Sequence, residues 1–396
     1  MSAPETIDSM KEVIKACGIV GAGGGGFPSH LKLDSRAHTI LLNCAECEPL
    51  LQVDQQLLAN YASEIVSALH RLADALGASA VVAVKKSYTA AISAVECEIE
   101  KLSGQTESRI RLALLDEIYP AGDEIVLIYE ALGLVVPPGS LPIDVGCIVF
   151  NVETVYNMYH AFEHGTPVTH KWVTIVGEVE RPVTALLPVG MPIAEAIKHA
   201  GQITVDNPAF ILGGPMMGGL IYASKETIKK TTNAILVLPS DHSLILRNNY
   251  GQASDKTPAM VNLNRVASAC CQCRTCTDMC PRNQLGHPIE PHRIMRALAA
   301  RDTSSSAFGG TMYCSFCGVC ETMACPQSLA PRSLIGTIRT ALKESGVKPE
   351  KYEPGTVSCT RNGRLVGAKR LTMRLGLSKY DIEAPLISEV EHTRRK

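Results

Sequence analysis

The chain is poor in aromatic side chains: one Trp, 6 Phe and 11 Tyr, 5% of 396 residues. No aromatic–basic face stands out and the net charge is −1, so nothing points to nucleic acid or to an anionic membrane surface. No apolar run approaches the roughly 18 residues of a membrane helix, and membrane insertion is not expected. The first residues, MSAPETIDSMKEVIKAC, lack the cationic-then-apolar pattern of a secretory signal, which predicts a cytoplasmic protein. Low-complexity segments are missing too. With 46% hydrophobic and 19% charged residues, the length suits two or three globular domains.

What is abundant is cysteine. In a reducing compartment, 15 cysteines argue for metal ligation rather than disulfides. Nine of the 15 lie between 270 and 325. They form Cys270-x₂-Cys273-x₂-Cys276-x₃-Cys280-Pro281 and Cys314-x₂-Cys317-x₂-Cys320-x₄-Cys325-Pro326. The first is the ferredoxin run for a [4Fe–4S] cluster: short spacing lets three thiolates reach one cubane, and the proline turns the chain away. The second carries one extra residue before its last cysteine. In two-cluster ferredoxins the fourth cysteine serves the other cluster. On that rule one set is Cys270, Cys273, Cys276 and Cys325, and the other is Cys314, Cys317, Cys320 and Cys280. Only Cys270 gives the full spacing, so Cys271 reads as a non-ligand. Paired CxxC motifs also make zinc ribbons, though not in a CxxCxxCxxxCP run. Cys17, Cys44, Cys47, Cys97, Cys147 and Cys359 read mostly as small buried apolar side chains. His287 and His292 flank the first motif, either as cap or surface residues or as groups that tune a cluster or meet a corrin.

Strand and helix signals alternate over residues 1–165. HTILLNC (38–44), ASAVVAVKK (78–86), RIRLALLD (109–116) and VGCIVFN (145–151) read as strands. Residues 53–77, 89–104, 122–133 and 152–165 read as helices, with Gly77 and Gly133 as stops. This predicts an α/β layer with a mostly parallel sheet. A small α+β unit follows over 166–240. The cysteine region spans 255–340 and includes a helix at 291–302. A tail, 341–396, is basic and polar (Arg361, Arg364, Lys369, Arg370, Arg374), either a solvated stretch or a dock for an acidic partner.

Four polar turns sit at one edge of the expected sheet. The glycine-rich run Gly21–Gly26 before the first strand has the bare backbone that a phosphate needs, though four consecutive glycines also make a flexible loop. Lys32 would contact phosphate or stand in solvent. Asn43-Cys44-Ala45-Glu46-Cys47-Glu48-Pro49 follows the first strand, where open α/β sheets bind ligands. Glu46 and Glu48 there would bind ribose hydroxyls or belong to a plain polar loop. Tyr119–Glu124 and Asn151–Thr154 lie at strand-to-helix turns, where Asp123 and Thr154 would otherwise be caps.

GAGGGGFPSHLK (21–32), NCAECEP (43–49), YPAGDE (119–124) and NVET (151–154) resemble, in order, motifs of the flavoprotein subunit of respiratory complex I. They resemble more closely the C subunit of Rnf-type electron-transport complexes, as do GGPMMGG (213–219) and KTTNAILVLP (230–239). The segment around 170–205 is similar to their soluble-ligand-binding β-grasp (SLBB) module. CCQCRTCTDMCPRN, the x₄ spacing and RLGLSKYDIEAPL (374–386) resemble the PduS-type flavin and iron–sulfur reductases of bacterial microcompartments. The resemblance implies a complex I flavoprotein-like α/β FMN-binding domain, an SLBB β-grasp module and a mainly helical domain with two [4Fe–4S] clusters.

It further implies that Gly21, Gly23, Gly24 and Lys32 hold the FMN phosphate and ribityl chain, and that Asn43 and Asn151 bond the flavin with Thr154 nearby. Phe27 would stack on the nicotinamide nucleotide NADH, Glu48 would bind its ribose hydroxyls, and Glu124 would lie beside the nucleotide. Ala22 and Ala45 replace an arginine and an aspartate usual in complex I. The implied reaction runs from NADH through FMN and both clusters to cobalamin on a partner protein, with shell or cargo proteins as neighbours. The rival expectation is an electron conduit of a larger Rnf-like complex with no nucleotide site of its own.

Overall fold

The computed structural model describes residues 6–103, 109–221, 225–248, 258–353 and 355–387. Its N-terminal part is built on β1 (Thr39–Cys44), β2 (Ser79–Lys85), β3 (Ile110–Leu115), a two-residue β4 (Ile118–Tyr119) and β5 (Cys147–Asn151). β1, β2, β3 and β5 form a parallel sheet in the order β3-β2-β1-β5. Alternate residues face opposite ways along a strand. Ile40, Leu42, Ala80 and Val82 therefore enter one core, while Leu41, Val81 and Ala83 enter another.

The first core is covered by α1 (Ile7–Ala16), α2 (Val53–Asn60), α3 (Ala62–Leu76), α4 (Thr89–Ser103) and a helix at Val152–His164. The second is covered by α5 (Glu124–Leu132) and by Leu285 of the cysteine region. The single helix expected over 53–77 is broken at Tyr61, which leaves the helical region at φ −129°. Its ring packs on Tyr156 and Trp172, with centroids 5.1 and 6.2 Å away, and that tertiary contact overrides helix propensity.

The α+β unit is a six-stranded sheet of β6 (His170–Gly177), β7 (Val183–Pro188), β8 (Pro208–Leu212), β9 (Gly219–Ile221), β10 (Ala234–Pro239) and, from the far end of the chain, a strand at Leu386–Ile387. It is joined to the first unit by a buried pair: Lys171 donates to the Glu153 carboxylate, which also accepts from Trp172 N at 3.0 Å. The cysteine region is helical, with helices at Pro258–Ala269, Pro291–Ala300 and Pro331–Glu344.

The tail differs from the solvated stretch allowed by its composition. Arg361 is buried, pairs with Glu130 and lies 4.9 Å over the Tyr129 ring. Leu371, Leu375, Leu377, Tyr380 and Ala384 share a core with Leu50, Leu51 and Val319. Apolar burial outweighs the basic composition because the leucines recur at helical spacing among the charges. Val366–Gly367 pairs with β4, and Gln52 grips the last segment, donating to Ile382 O at 2.6 Å and accepting from Ala384 N at 2.8 Å. Gln52→Ala removes both bonds and is expected to lower the unfolding free energy by about 1–3 kcal/mol, read by urea denaturation, and to expose the segment after Tyr380 to limited proteolysis.

Candidate functional site

The C-terminal ends of β1 and β5 and the turn after β4 meet the glycine-rich loop at one edge of the parallel sheet, where such sheets bind ligands. The loop is closed by Gly21 N donating to Phe27 O at 2.8 Å and Gly26 N to Gly21 O at 3.0 Å. Gly24 and Gly26 hold φ of +109° and +63°, which side-chain-bearing residues resist. Ala22 N donates to Thr154 Oγ1 at 3.0 Å, and a Cβ on Gly23 would stand 3.3 Å from the Asn151 amide. The stretch Gly23–Gly25 is exposed, and Phe27 stands 49% exposed on its rim.

Lys32 donates to Glu124 Oε1 and Val149 O, both at 2.9 Å, which brings Lys32 and Glu124 to the β5 side. Asn43 donates to Gly122 O at 3.0 Å and accepts from Ala45 N at 3.1 Å. Asn151 donates to both oxygens of Asp54, at 2.9 and 2.7 Å, and caps the following helix through Glu153 N. Asp123 caps α5 through Ile125 N and Val126 N, and its other oxygen accepts from Arg282 at 2.8 Å.

The acids of NCAECEP turn away from each other. Glu46 caps α2, accepting from Val53 N at 3.1 Å and Asp54 N at 3.0 Å. Burial first, and Asp54 second, push its carboxyl well above the usual range. Burial raises Asp54 to about 7, partly opposed by the Asn151 bond and Lys171. Glu48 accepts from Met216 N at 2.8 Å. Burial lifts it to about 7, against the backbone donors Met216 and Met217. A bare-backbone loop, an ammonium and two amides on one sheet edge fit the phosphate, chain and ring of a flavin nucleotide.

The cysteines gather in two groups. Cys270, Cys273, Cys276 and Cys325 line one cavity together with His292, Met295 and the exposed Cys271. Cys280, Cys314, Cys317 and Cys320 lie close enough to act on one another electrostatically. The two loops share a conformation: Gln272 and Arg274 have φ of +54° and +67°, and Phe316 and Gly318 have +60° and +79°. The extra residue of the second motif is taken up by a π turn over Cys320–Ala324, where the first motif has an α turn over Thr275–Asp278.

Burial raises Cys276 and Cys317 to about 12, while hydrogen bonds from Thr275 lower Cys273; metal binding at such thiols releases their protons. Among the described residues no three His, Cys, Asp or Glu side chains converge on a single-ion site. The sulfurs of Cys270, Cys273, Cys276 and Cys325 line a space instead, as a multi-iron cube requires. Gln272 Nε2, Phe316 N and Leu329 N donate to the sulfurs of Cys270, Cys314 and Cys325 at 3.1, 3.3 and 3.4 Å, bonds of the kind that tune cluster potentials. His287, in contrast to a surface role, is buried with Nε2 against Val136 O at 3.1 Å. His292 Nδ1 meets Thr277 Oγ1 at 2.8 Å. Of the scattered cysteines, Cys97 and Cys359 are exposed.

Sequence reasoning assigns no role to four residues that tie the site together: Tyr119, Asp54, Arg282 and Met216. Tyr119 O–H donates to Cys317 O at 2.7 Å, and 198 residues separate the two. Tyr119 and Met216 stand inside YPAGDE and GGPMMGG and Asp54 lies six residues past Glu48, but their partners are set by the fold.

Comparison with known proteins follows the same division. Residues 14–160 match the family described as the Nuo51 FMN-binding domain, 172–219 the SLBB domain and 269–330 the 4Fe-4S dicluster domain. The NAD+-reducing [NiFe]-hydrogenase in its H2-reduced state superposes with a TM-score of 0.56 at 20% identity, over 87% of this chain and 63% of that one, a likeness of fold. The chain is therefore a flavin and iron–sulfur oxidoreductase that carries FMN and two [4Fe–4S] clusters. Cobalamin reductase PduS of Citrobacter freundii is 40% identical over 98% of this chain and 83% of its own, and that of Salmonella typhimurium 40% over 96% and 82%. The ion-translocating oxidoreductase complex of Rhodobacter capsulatus has a C subunit that is 31% identical over 78% of this chain and 55% of its own. The chain belongs to the PduS cobalamin reductase family.

The buried acids give a pH prediction. Asp54 rises from an ordinary 3.8 to about 7 on folding, so the fold holds this proton more tightly than the unfolded chain. The stability it supports is full below about pH 4 and drains as pH rises to about 7. Urea denaturation between about pH 5 and 7 is expected to show stability falling with pH, and Asp54→Asn to flatten that slope.

Proposed function

We propose that this oxidoreductase takes electrons from NADH at the sheet edge and passes them through the second cysteine group, then the first, to an acceptor docked outside. Bound FMN supplies the exchange between two-electron and one-electron chemistry. Gly21, Gly23, Gly24 and Lys32 hold its phosphate and chain; Asn43, Asn151 and Thr154 orient its ring. Phe27 stacks on the nucleotide, Glu48 binds its ribose hydroxyls, and Glu124 lies beside it. Cys314, Cys317, Cys320 and Cys280 ligate one cluster, and Cys270, Cys273, Cys276 and Cys325 the other.

The observation that carries this order is the unequal depth of the two loops. The second cysteine group is bonded to the sheet edge from both of its chain segments, through Tyr119 and Cys317 O and, two residues after Cys280, through Asp123 and Arg282. The first leaves Cys271, Gln272, Cys273 and Arg274 exposed, where a redox partner can approach. The names of the PduS relatives make cobalamin the leading acceptor; in this proposal it is carried by a partner protein, in the cytoplasm and within a bacterial microcompartment. No helix among the described residues is long and apolar enough to cross a membrane.

A second reading, a conduit without its own nucleotide site, draws on the Glu48 carboxylate already engaged by Met216 N. Anaerobic titration with NADH separates the two. The first reading expects bleaching of the flavin followed by cluster signals. Bleaching by dithionite but not by NADH or NADPH selects the conduit. Loaded protein is expected to carry about eight irons per chain, and Cys325→Ser to lose about half of them.

A further inference from the structure

Glu48 sits where three connections toward the second cysteine loop begin. Its Oε2 accepts from Met216 N at 2.8 Å, and its Oε1 is buried with no hydrogen-bond partner. A carboxylate oxygen left in that condition costs free energy until a donor arrives. The turn that covers it is packed directly on the acid: a Cβ on Gly214 would fall 2.2 Å from Glu48 Oε2, so only glycine admits the contact.

The same turn leans on the cysteine loop from its other side. Met216 O accepts from Arg332, and Arg332 pairs with Glu321 at 2.9 Å inside the π turn that follows Cys320. The Met216 methyl lies 3.3 Å from where a Cβ on Gly318 would stand. The third connection is Tyr119. Its hydroxyl faces Glu48 and gives its one proton to the carbonyl of Cys317 at 2.7 Å.

We propose that Glu48 couples nucleotide occupancy to the second cysteine loop. A ribose hydroxyl that donates to the free Oε1 draws the carboxylate toward itself and away from Met216 N–H on Oε2, and the release of the Gly213–Gly219 turn is transmitted through Arg332, Gly318 and Tyr119 to the backbone around Cys317. The occupant is a nucleotide with a vicinal ribose diol and a diphosphate. The inference rests on the nucleotide reading above, with Tyr119 and Met216 acting as positioning residues. By linkage the coupling runs both ways: the state of the second cluster alters nucleotide affinity by the same factor.

ADP-ribose, which has the ribose and diphosphate but no reducible ring, is the probe. With loaded protein, saturating ADP-ribose is expected to speed hydrogen exchange in the 213–219 peptide at least about tenfold, as loss of a charged hydrogen bond requires. It is also expected to shift the paramagnetic resonance signal of one cluster in dithionite-reduced protein and leave the other unchanged. Tyr119→Phe is expected to keep both clusters and lose much of the shift, while Gly214→Ala, which forces the turn off the acid, tightens ADP-ribose binding.

Saturable binding by calorimetry with unchanged exchange and unchanged signals overturns the coupling and leaves the NADH reading intact. So does NADH bleaching of the flavin in protein that does not bind ADP-ribose. Failure of both ADP-ribose binding and NADH bleaching removes the nucleotide reading and this inference together.

Discussion

The structure turns on Asp123. One oxygen caps α5 on the flavin edge of the parallel sheet, and the other holds Arg282, two residues after Cys280. Both side chains are largely buried, 11% and 14% exposed, so removing either partner would strand a charge at a cost of about 3–5 kcal/mol. This one carboxylate ties the turn before α5 to the segment that follows Cys280. Tyr119, four residues earlier, adds a second tie from the same turn.

Around that junction the three units are joined by polar contacts that are individually specific. Lys171 and Glu153 lock the β-grasp sheet to the helix after β5. Glu48 receives the Met216 turn of the same module. Gln52 and Arg361 bind the C-terminal segment back onto the flavin unit. That segment stitches the domains together, with leucines of 371–377 filling the seam. A relay of this kind gains from such stitching, because its clusters depend on loops held in left-handed conformations at Gln272, Arg274 and Phe316, which cost energy unless the surroundings enforce them.

Much of this is legible in the sequence. Strand and helix periodicity locates the parallel sheet and its covering helices, and cysteine spacing locates two four-thiol groups. The glycine-rich run, Asn43, Asn151 and Thr154 read as one sheet edge because each follows or precedes a strand. What escapes is set by long-range packing. The break at Tyr61 comes from Trp172, 111 residues away. The burial of Arg361 comes from Glu130 and Tyr129. The roles of Glu46 and Glu48 differ because one faces a helix N-terminus and the other a turn from another domain, and local sequence is nearly the same for both. The π turn at Cys320 explains the irregular spacing that the motif alone could only record.

The most direct test of the relay is the order in which the two cluster signals grow after a pulse of NADH, followed by freeze-quench paramagnetic resonance, with Cys325→Ser used to assign each signal. The cluster of Cys314, Cys317, Cys320 and Cys280 is expected to be reduced first and that of Cys270, Cys273, Cys276 and Cys325 second. Reduction of the exposed cluster first, or of either cluster ahead of the flavin, would contradict it.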